Sequence, residues 1–286
     1  MGNEFFDERQ KMIDKTLLNL VGISKTFPGS KALNEVNFSL NRGEIVSIVG
    51  QNGAGKSTLV SIIGGIYVPD SGEIFIDGRK VRILNPAMAE GLGIGMVHQE
   101  PTLVPMMDVA SNLFLNREHI KSRFVLDFKK MKQESEKILN LLCFAISPEK
   151  LVEDLTIVER EVVEIAKAML LNPRILILDE VTAPLGAGEV EHLFELIKDL
   201  KAKGMSIIFI SHRLQEVIQI SDRVVVLRDG EKVGDLNIEN SLSMKRIIDL
   251  MLGEKTVEDI RGREEIHIKR ERILMVKNLS KNRVFK

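Results

Sequence analysis

The octapeptide "GQNGAGKS", Gly50 to Ser57, has glycines, a lysine and a hydroxyl at the spacing a phosphate-wrapping loop requires. Gly50, Asn52, Gly53, Ala54 and Gly55 let successive amide hydrogens turn inward around phosphate oxygens, and the helix that follows aims its positive end at the same point. Lys56 is placed to reach the β and γ phosphates of a nucleotide, Ser57 to ligate Mg²⁺, and Thr58 to complete the binding set. The octapeptide follows the apolar run "EIVSIV" and precedes "STLVSIIGG", so it has the strand-to-helix setting that separates a phosphate loop from an ordinary glycine turn.

Two further elements can supply chemistry to a bound phosphate. In "RILILDE", Asp179 and Glu180 end an apolar strand, where ligands sit in open α/β sheets. Asp179 can hold Mg²⁺ through water and Glu180 can polarise an attacking water. Single acids often end strands for solvation alone, but a pair beside a phosphate loop is less ordinary. In "IIFISHR", His212 lies just past another strand; a histidine there is commonly a structural hydrogen-bonding residue, and its place in this series makes it a candidate for the γ-phosphate. Gln99 in "GMVHQEP" is either a plain loop residue or a contact to Mg²⁺ that reports nucleotide state.

The elements that must position these side chains follow from the pattern. "LLNLVGI", "ALNEVNFSL" and "EIVSIVG" read as strands, the second with Leu33, Val36, Phe38 and Leu40 mostly alternating. "STLVSIIGGIY" reads as a short helix ending at Gly64 and Gly65, and "GEIFIDGRKVRIL" as a hairpin turning at Asp77 and Gly78. From about 100 to 157 the pattern becomes helical, with Met131, Ile138, Leu141 and Leu142 on one face of "DFKKMKQESEKILNLLCF". From 158 helices and short apolar strands alternate, which predicts a parallel sheet covered by helices. In the helix from Val158, the residues Val162, Ile165, Ala166 and Met169 share a face, and Arg160 and Glu164 stand at i,i+4 as an ion pair.

Composition limits the partners. The 286 residues carry 40 basic and 41 acidic side chains, a net charge of −1, so no bulk positive field draws in nucleic acid or anionic lipid. The lone Cys143 cannot form an internal disulfide and reads as a small apolar residue of its helix; a reducing cytoplasm follows as the expectation. The N-terminus lacks the apolar stretch of a secretory signal, and the longest apolar runs fall short of the roughly 18 residues a spanning helix needs. If the protein works at a membrane, another chain does the spanning. The segment "LNLVGISK" at 18–25 is echoed by "LMVKNLSK" at 274–281, which reads as the start of a second copy of the first strand or as a chance match. The expected divisions are an N-terminal extension 1–16, a main domain 17–253, a charged linker 254–272, and the first strand of a truncated second copy over 273–286.

Taken in order, these motifs resemble the nucleotide-binding subunit of an ATP-binding cassette transporter, over residues 17–253, and most of all its monosaccharide-import group. "SKTFPGSKAL", "GIGMVHQEPTLVPMMDVASNLFL" and "VEIAKAML" are similar to segments of that group. The resemblance implies an α/β fold: a P-loop NTPase core with a parallel sheet, an N-terminal antiparallel β subdomain and an inserted helical subdomain over about 100–157. It implies Phe27 stacked on adenine, Gln99 contacting Mg²⁺, Asp179 as a metal neighbour, Glu180 as catalytic base and His212 as switch histidine. ATP and Mg²⁺ are then the cofactors. The partners are transmembrane permease subunits, a second cassette and, indirectly, a sugar-binding protein, with no nucleic acid; the location is the cytoplasmic side of the cell membrane, peripheral. Two departures stand out. The family's L-S-G-G-Q signature aligns with Leu155, Thr156, Ile157, Val158 and Glu159, where bulky side chains hinder close backbone approach. The residue after Glu180 is Val181 rather than proline, and "APLG" runs from Ala183 to Gly186. These departures fit a tandem ATPase with unequal sites, and because only the first strand of a second cassette is expected here, the chain alone is expected to bind MgATP and hydrolyse it slowly. A soluble tandem cassette acting on ribosomes or DNA, and a regulatory nucleotide-binding module, are the alternatives; the first calls for a basic arm or linker, and 254–272 mixes both signs.

Overall fold

The computed structural model describes residues 15–99, 102–122, 125–238 and 244–253. The linker expected over 254–272 and the strand over 273–286 lie outside the described residues, as does the extension over 1–16 apart from Lys15 and Thr16. The chain divides after Leu252, and the described strands and helices all belong to the first unit.

β1 (Thr16–Phe27) and β2 (Ser30–Asn41) form an antiparallel hairpin, which β4 (Ser71–Ile76) and β5 (Arg79–Val81) extend into a four-stranded sheet ordered β2-β1-β4-β5. Leu33, Val36, Phe38 and Leu40 all point inward and are buried, as their alternation predicts. The turn between β4 and β5 places both Asp77 and Gly78 at positive φ, the geometry that joins a tight hairpin.

β3 (Ile45–Val49), β6 (Ile94–Val97), β9 (Ile175–Asp179), β10 (Ser206–Ile210) and β11 (Arg223–Arg228) make the parallel sheet, which β12 (Glu231–Asn237) extends antiparallel at one edge in the order β12-β11-β3-β10-β9-β6. Every residue of β3, β9 and β10 is buried, because both faces of the sheet are covered. Successive side chains serve opposite layers. Leu176, Leu178, Ile207 and Phe209 pack with α5 (Ile157–Met169) and α6 (Ala187–Ala202), while Ile175, Ile177, Ile208 and Ile210 pack with α1 (Lys56–Ile63) and the antiparallel sheet. α2 (Pro86–Gly91) precedes β6, α7 (Leu214–Ile220) follows β10, and α8 (Met244–Leu252) closes against β11 and β12.

The inserted subdomain contains α3 (Val109–Leu113), a small hairpin of β7 (Ile120–Ser122) and β8 (Val125–Leu126), and α4 (Phe128–Leu141). Three sequence expectations change in this region. Met131, Ile138 and Leu142 pack inward as expected, but Leu141 is 44% exposed, and Leu139 and Ser135 join the inward face instead; the polar Ser135 can do so because its hydroxyl donates to the Met131 carbonyl. Cys143 is exposed at a positive φ just past the helix end, so it does not act as an apolar packing residue. The expected Arg160–Glu164 pair is not formed: Arg160 donates to the Glu153 carbonyl, and Glu164 is drawn inward by the Thr102 amide and hydroxyl. Glu164, 7% exposed, turns its carboxylate in to Thr102, and hydrogen bonds to a charged carboxylate are worth more than a pair held across a helix surface. No helix among the described residues is long and apolar enough to cross a membrane.

Candidate nucleotide site

The buried strand β3 delivers its chain into the loop from Gly50. A Cβ on Gly50 would lie 2.3 Å from the Leu227 carbonyl oxygen, and one on Gly55 2.6 Å from that of Ala32, with Gly55 at φ 102°. The loop is thus wedged between the end of β11 and the β1–β2 hairpin in a path only glycine permits. α1 begins directly after it with no side-chain cap and no acid in its first turn, which leaves the positive end of the helix open to an anion. Lys56, 7% exposed, donates from Nζ to the Gly50 carbonyl at 2.9 Å and the Gln51 carbonyl at 3.1 Å. Burial lowers its pKa, against the opposing pull of Glu180 and Asp179.

Strand order assembles the rest. β10 lies between β3 and β9, with Ile210 in register with both Ile48 and Asp179, so the loops leaving the three strands emerge side by side. Asp179 is buried, and burial pushes its carboxyl up to about 6, helped by the neighbouring Glu180 and opposed by Lys56. Glu180 adopts φ 53° and donates its amide to the Ile210 carbonyl at 3.0 Å. Its Oε2 accepts from Gln99 Nε2 at 3.0 Å and faces His212 Nδ1 at 3.6 Å. Positive φ is unusual for glutamate and re-aims the side chain toward these two partners.

These groups surround one open cavity of about 710 Å³. Asn52, Gly53, Gly55, Lys56, Ser57 and Thr58 line it, as do Gln99, Glu180, His212, Ser30 and Ala32. Gly50, Ala54 and Asp179 lie outside that lining, and all three are buried. Phe27 is not part of the lining either: its ring meets Tyr67 edge-on, centroids 5.1 Å apart, with Lys25 Nζ 5.7 Å from its centre. The oxygen donors Ser57, Gln99 and Asp179 are of the hard type that suits Mg²⁺, and among the described residues there is no cluster of three His, Cys, Asp or Glu side chains.

The segment aligned with the family signature opens α5. Thr156 caps the helix, its hydroxyl accepting from the Glu159 amide while the Glu159 carboxylate accepts from the Thr156 amide at 2.7 Å. Burial alone would raise the Glu159 carboxyl, but the Thr156 amide and Lys150 Nζ outweigh it and hold the group below the usual range. Ile157 is about half exposed, and Val158 packs on the helical subdomain.

Sequence reasoning did not find a second polar cluster behind the site. Thr182 Oγ1 and Ser211 Oγ, both buried, donate to Glu216 Oε2 at 2.6 and 2.7 Å. Arg213 donates to Glu216 Oε1 at 3.0 Å and to the carbonyls of Thr182, Ala183 and Leu185. Ser211 and Arg213 flank His212, which is a signal in hindsight. Glu216 had none, since an acid within a short helix reads as solvated.

The chain is similar to several known proteins. The ribose import ATP-binding protein RbsA of Caldanaerobacter subterraneus subsp. tengcongensis is 43% identical over 94% of this chain and 54% of its own length. The galactose/methyl galactoside import ATP-binding protein MglA of Clostridium perfringens is 43% identical over 92% and 50%. The chain spans about half the length of the curated relatives it matches. Among solved structures, a nucleotide-free ATP-binding cassette from an ABC transporter superposes with a TM-score of 0.74 at 26% identity, covering 85% of this chain and 98% of that one. A dimeric cassette described as a post-hydrolysis state bound to ADP and Pi gives 0.67 at 25% identity, over 79% and 100%. The family model described as ABC transporter matches residues 33–183, more than half of the 286, and the chain belongs to that family.

Proposed function

We propose that this chain binds MgATP and hydrolyses its terminal phosphoanhydride bond to power uptake of a sugar through membrane permease subunits, peripheral to the membrane on its cytoplasmic side. The observation that carries the reading is the convergence of Gln99, Glu180 and His212 on the cavity that the Gly50–Thr58 loop lines. Lys56 and the loop amides would hold the β and γ phosphates, and Ser57, Gln99 and Asp179 would hold Mg²⁺. When bound, Mg²⁺ would supply positive charge that neutralises the triphosphate. Glu180 orients and polarises the attacking water, and His212, beside it, steadies the γ-phosphate. Phe27, at the end of β1, is the proposed adenine platform, with Tyr67 backing its ring.

Sugar as cargo is supported by the names of the relatives, which are ribose and galactose import ATP-binding proteins. A second cassette is supported by the dimeric form of the cassette bound to ADP and Pi; its signature would complete the site, and the sugar-binding protein would act through the permease. A cleft of about 220 Å³ beside Gln99, lined by Ile66, Ala89, Met96, His98, Thr102 and Glu164, joins the sheet core to the helical subdomain and is our candidate seat for a permease segment. Motion of that subdomain then reaches the membrane chains.

The test is MgATP binding and the hydrolysis rate of the chain alone and with a separately expressed second cassette carrying an intact signature. Binding with slow turnover alone and a large stimulation on addition is expected; failure to bind MgATP, or fast turnover alone, overturns the composite-site reading. The bulky Ile157 and the Glu159 carboxylate closed onto its own helix favour a second reading, a regulatory nucleotide-binding module, for which binding without stimulation is the outcome.

A further inference from the structure

We infer that Glu216 is a positioning residue that fixes the spacing between Glu180 and His212. The inference rests on the hydrolytic reading of the cavity but concerns residues that do not line it. Glu180 and His212 leave the ends of adjacent strands, β9 and β10, and beyond those ends the main-chain ladder stops. The carboxylate of Glu216, 7% exposed on α7, ties the two departing segments together. One of its oxygens, Oε2, accepts from Thr182, two residues past Glu180, at 2.6 Å, and from Ser211, immediately before His212, at 2.7 Å.

The tie is reinforced from the other side. Arg213, the residue after His212, donates to Glu216 Oε1 at 3.0 Å and to the Thr182 and Ala183 carbonyls at 3.3 and 3.2 Å. Its amide donates to Ser211 Oγ at 3.0 Å, so that hydroxyl is a donor to Glu216 and an acceptor from Arg213 at once. Thr182 and Ser211 are 1% and 2% exposed, so neither hydroxyl can turn to bulk water if the carboxylate is lost. The Glu180–His212 approach of 3.6 Å is thus backed by a buried network one residue layer behind it. A group held this way acts on chemistry through geometry: loosening it misplaces the base against the histidine while leaving the phosphate loop, on β3, intact.

The experiment compares Glu216→Ala, Glu216→Gln and Thr182→Val with the wild-type full chain. With the separately expressed second cassette present throughout, it measures the dissociation constant of a fluorescent MgATP analogue and the first-order cleavage constant of radiolabelled MgATP with protein in saturating excess. With folded protein well above its dissociation constant for ATP, that constant does not depend on what fraction of the protein is folded, so it separates positioning from plain destabilisation. Glu44→Gln, which disrupts the buried Arg223 pair at the opposite end of β3, is the stability control. We expect analogue affinity within about twofold of wild type in all variants, with cleavage slowed about tenfold or more by Glu216→Ala. Glu216→Gln, which retains an acceptor, should recover part of the rate, and Glu44→Gln should leave it unchanged. Cleavage at the wild-type rate in Glu216→Ala overturns the inference, as does loss of analogue binding in Glu216→Gln. Wild-type binding and cleavage in the same assays report on the nucleotide reading itself, and the variant-to-wild-type ratio reports on Glu216.

Discussion

Gln99 Nε2 donates to Glu180 Oε2 at 3.0 Å, across the ends of the neighbouring strands β6 and β9. Gln99 lies at the entry to the helical subdomain, so any displacement of that subdomain pulls on a bond to the proposed base. Gln99→Ala should therefore lower kcat by about tenfold while changing KM for ATP less, since the phosphate loop is untouched. Loss of affinity with kcat unchanged would mean that Gln99 serves binding alone.

Glu180→Gln should preserve MgATP binding and slow turnover by two or more orders of magnitude, on the order of what removing a general base costs. The isosteric amide still accepts from Gln99 but no longer polarises water, so ATP should be retained unhydrolysed on gel filtration. A variant that turns over at the wild-type rate would move the base elsewhere and favour the regulatory reading.

Lys56→Ala should abolish measurable nucleotide binding. The ammonium is already partly desolvated and held over the loop by the Gly50 and Gln51 carbonyls, so it meets a phosphate with little reorganisation. Calorimetric titration with MgATP checks this, and retained affinity would displace the loop from the site.

The phosphate loop, the Asp179–Glu180 pair and the strand series were legible because each is written in contiguous residues: five-residue apolar strands buried on both faces, then a glycine, acid or histidine at the end. What escaped is non-contiguous. Glu216 joins Thr182 to Ser211 across 34 and 5 residues of sequence, and neither spacing has a periodic signature. The Arg160–Glu164 expectation failed for the same reason: helical spacing predicts a pair on a solvated surface, but Glu164 faces inward to Thr102. Arg223, whose guanidinium binds Glu44, Asp235 and the Ser39 carbonyl, likewise read only as the start of a strand.

Glu161 supplies a test of pH dependence. It sits on α5, 7% exposed, where burial and then the neighbouring Glu164 push its carboxyl up to about 7 from an ordinary 4.5. Between those two values the folded chain keeps a proton that the unfolded chain has already released, so rising pH favours unfolding. The penalty is absent below about 4.5, grows through the interval and is complete above about 7. At its full extent it amounts to at most about 3 kcal/mol. Glu161→Gln keeps the side chain's size and removes the titration. The variant should melt several degrees above wild type at pH 8, with the gap shrinking steadily toward pH 4.5. Melting curves of the two proteins across that range decide it: parallel pH profiles would mean that Glu161 ionises as freely in the folded chain as in the unfolded one.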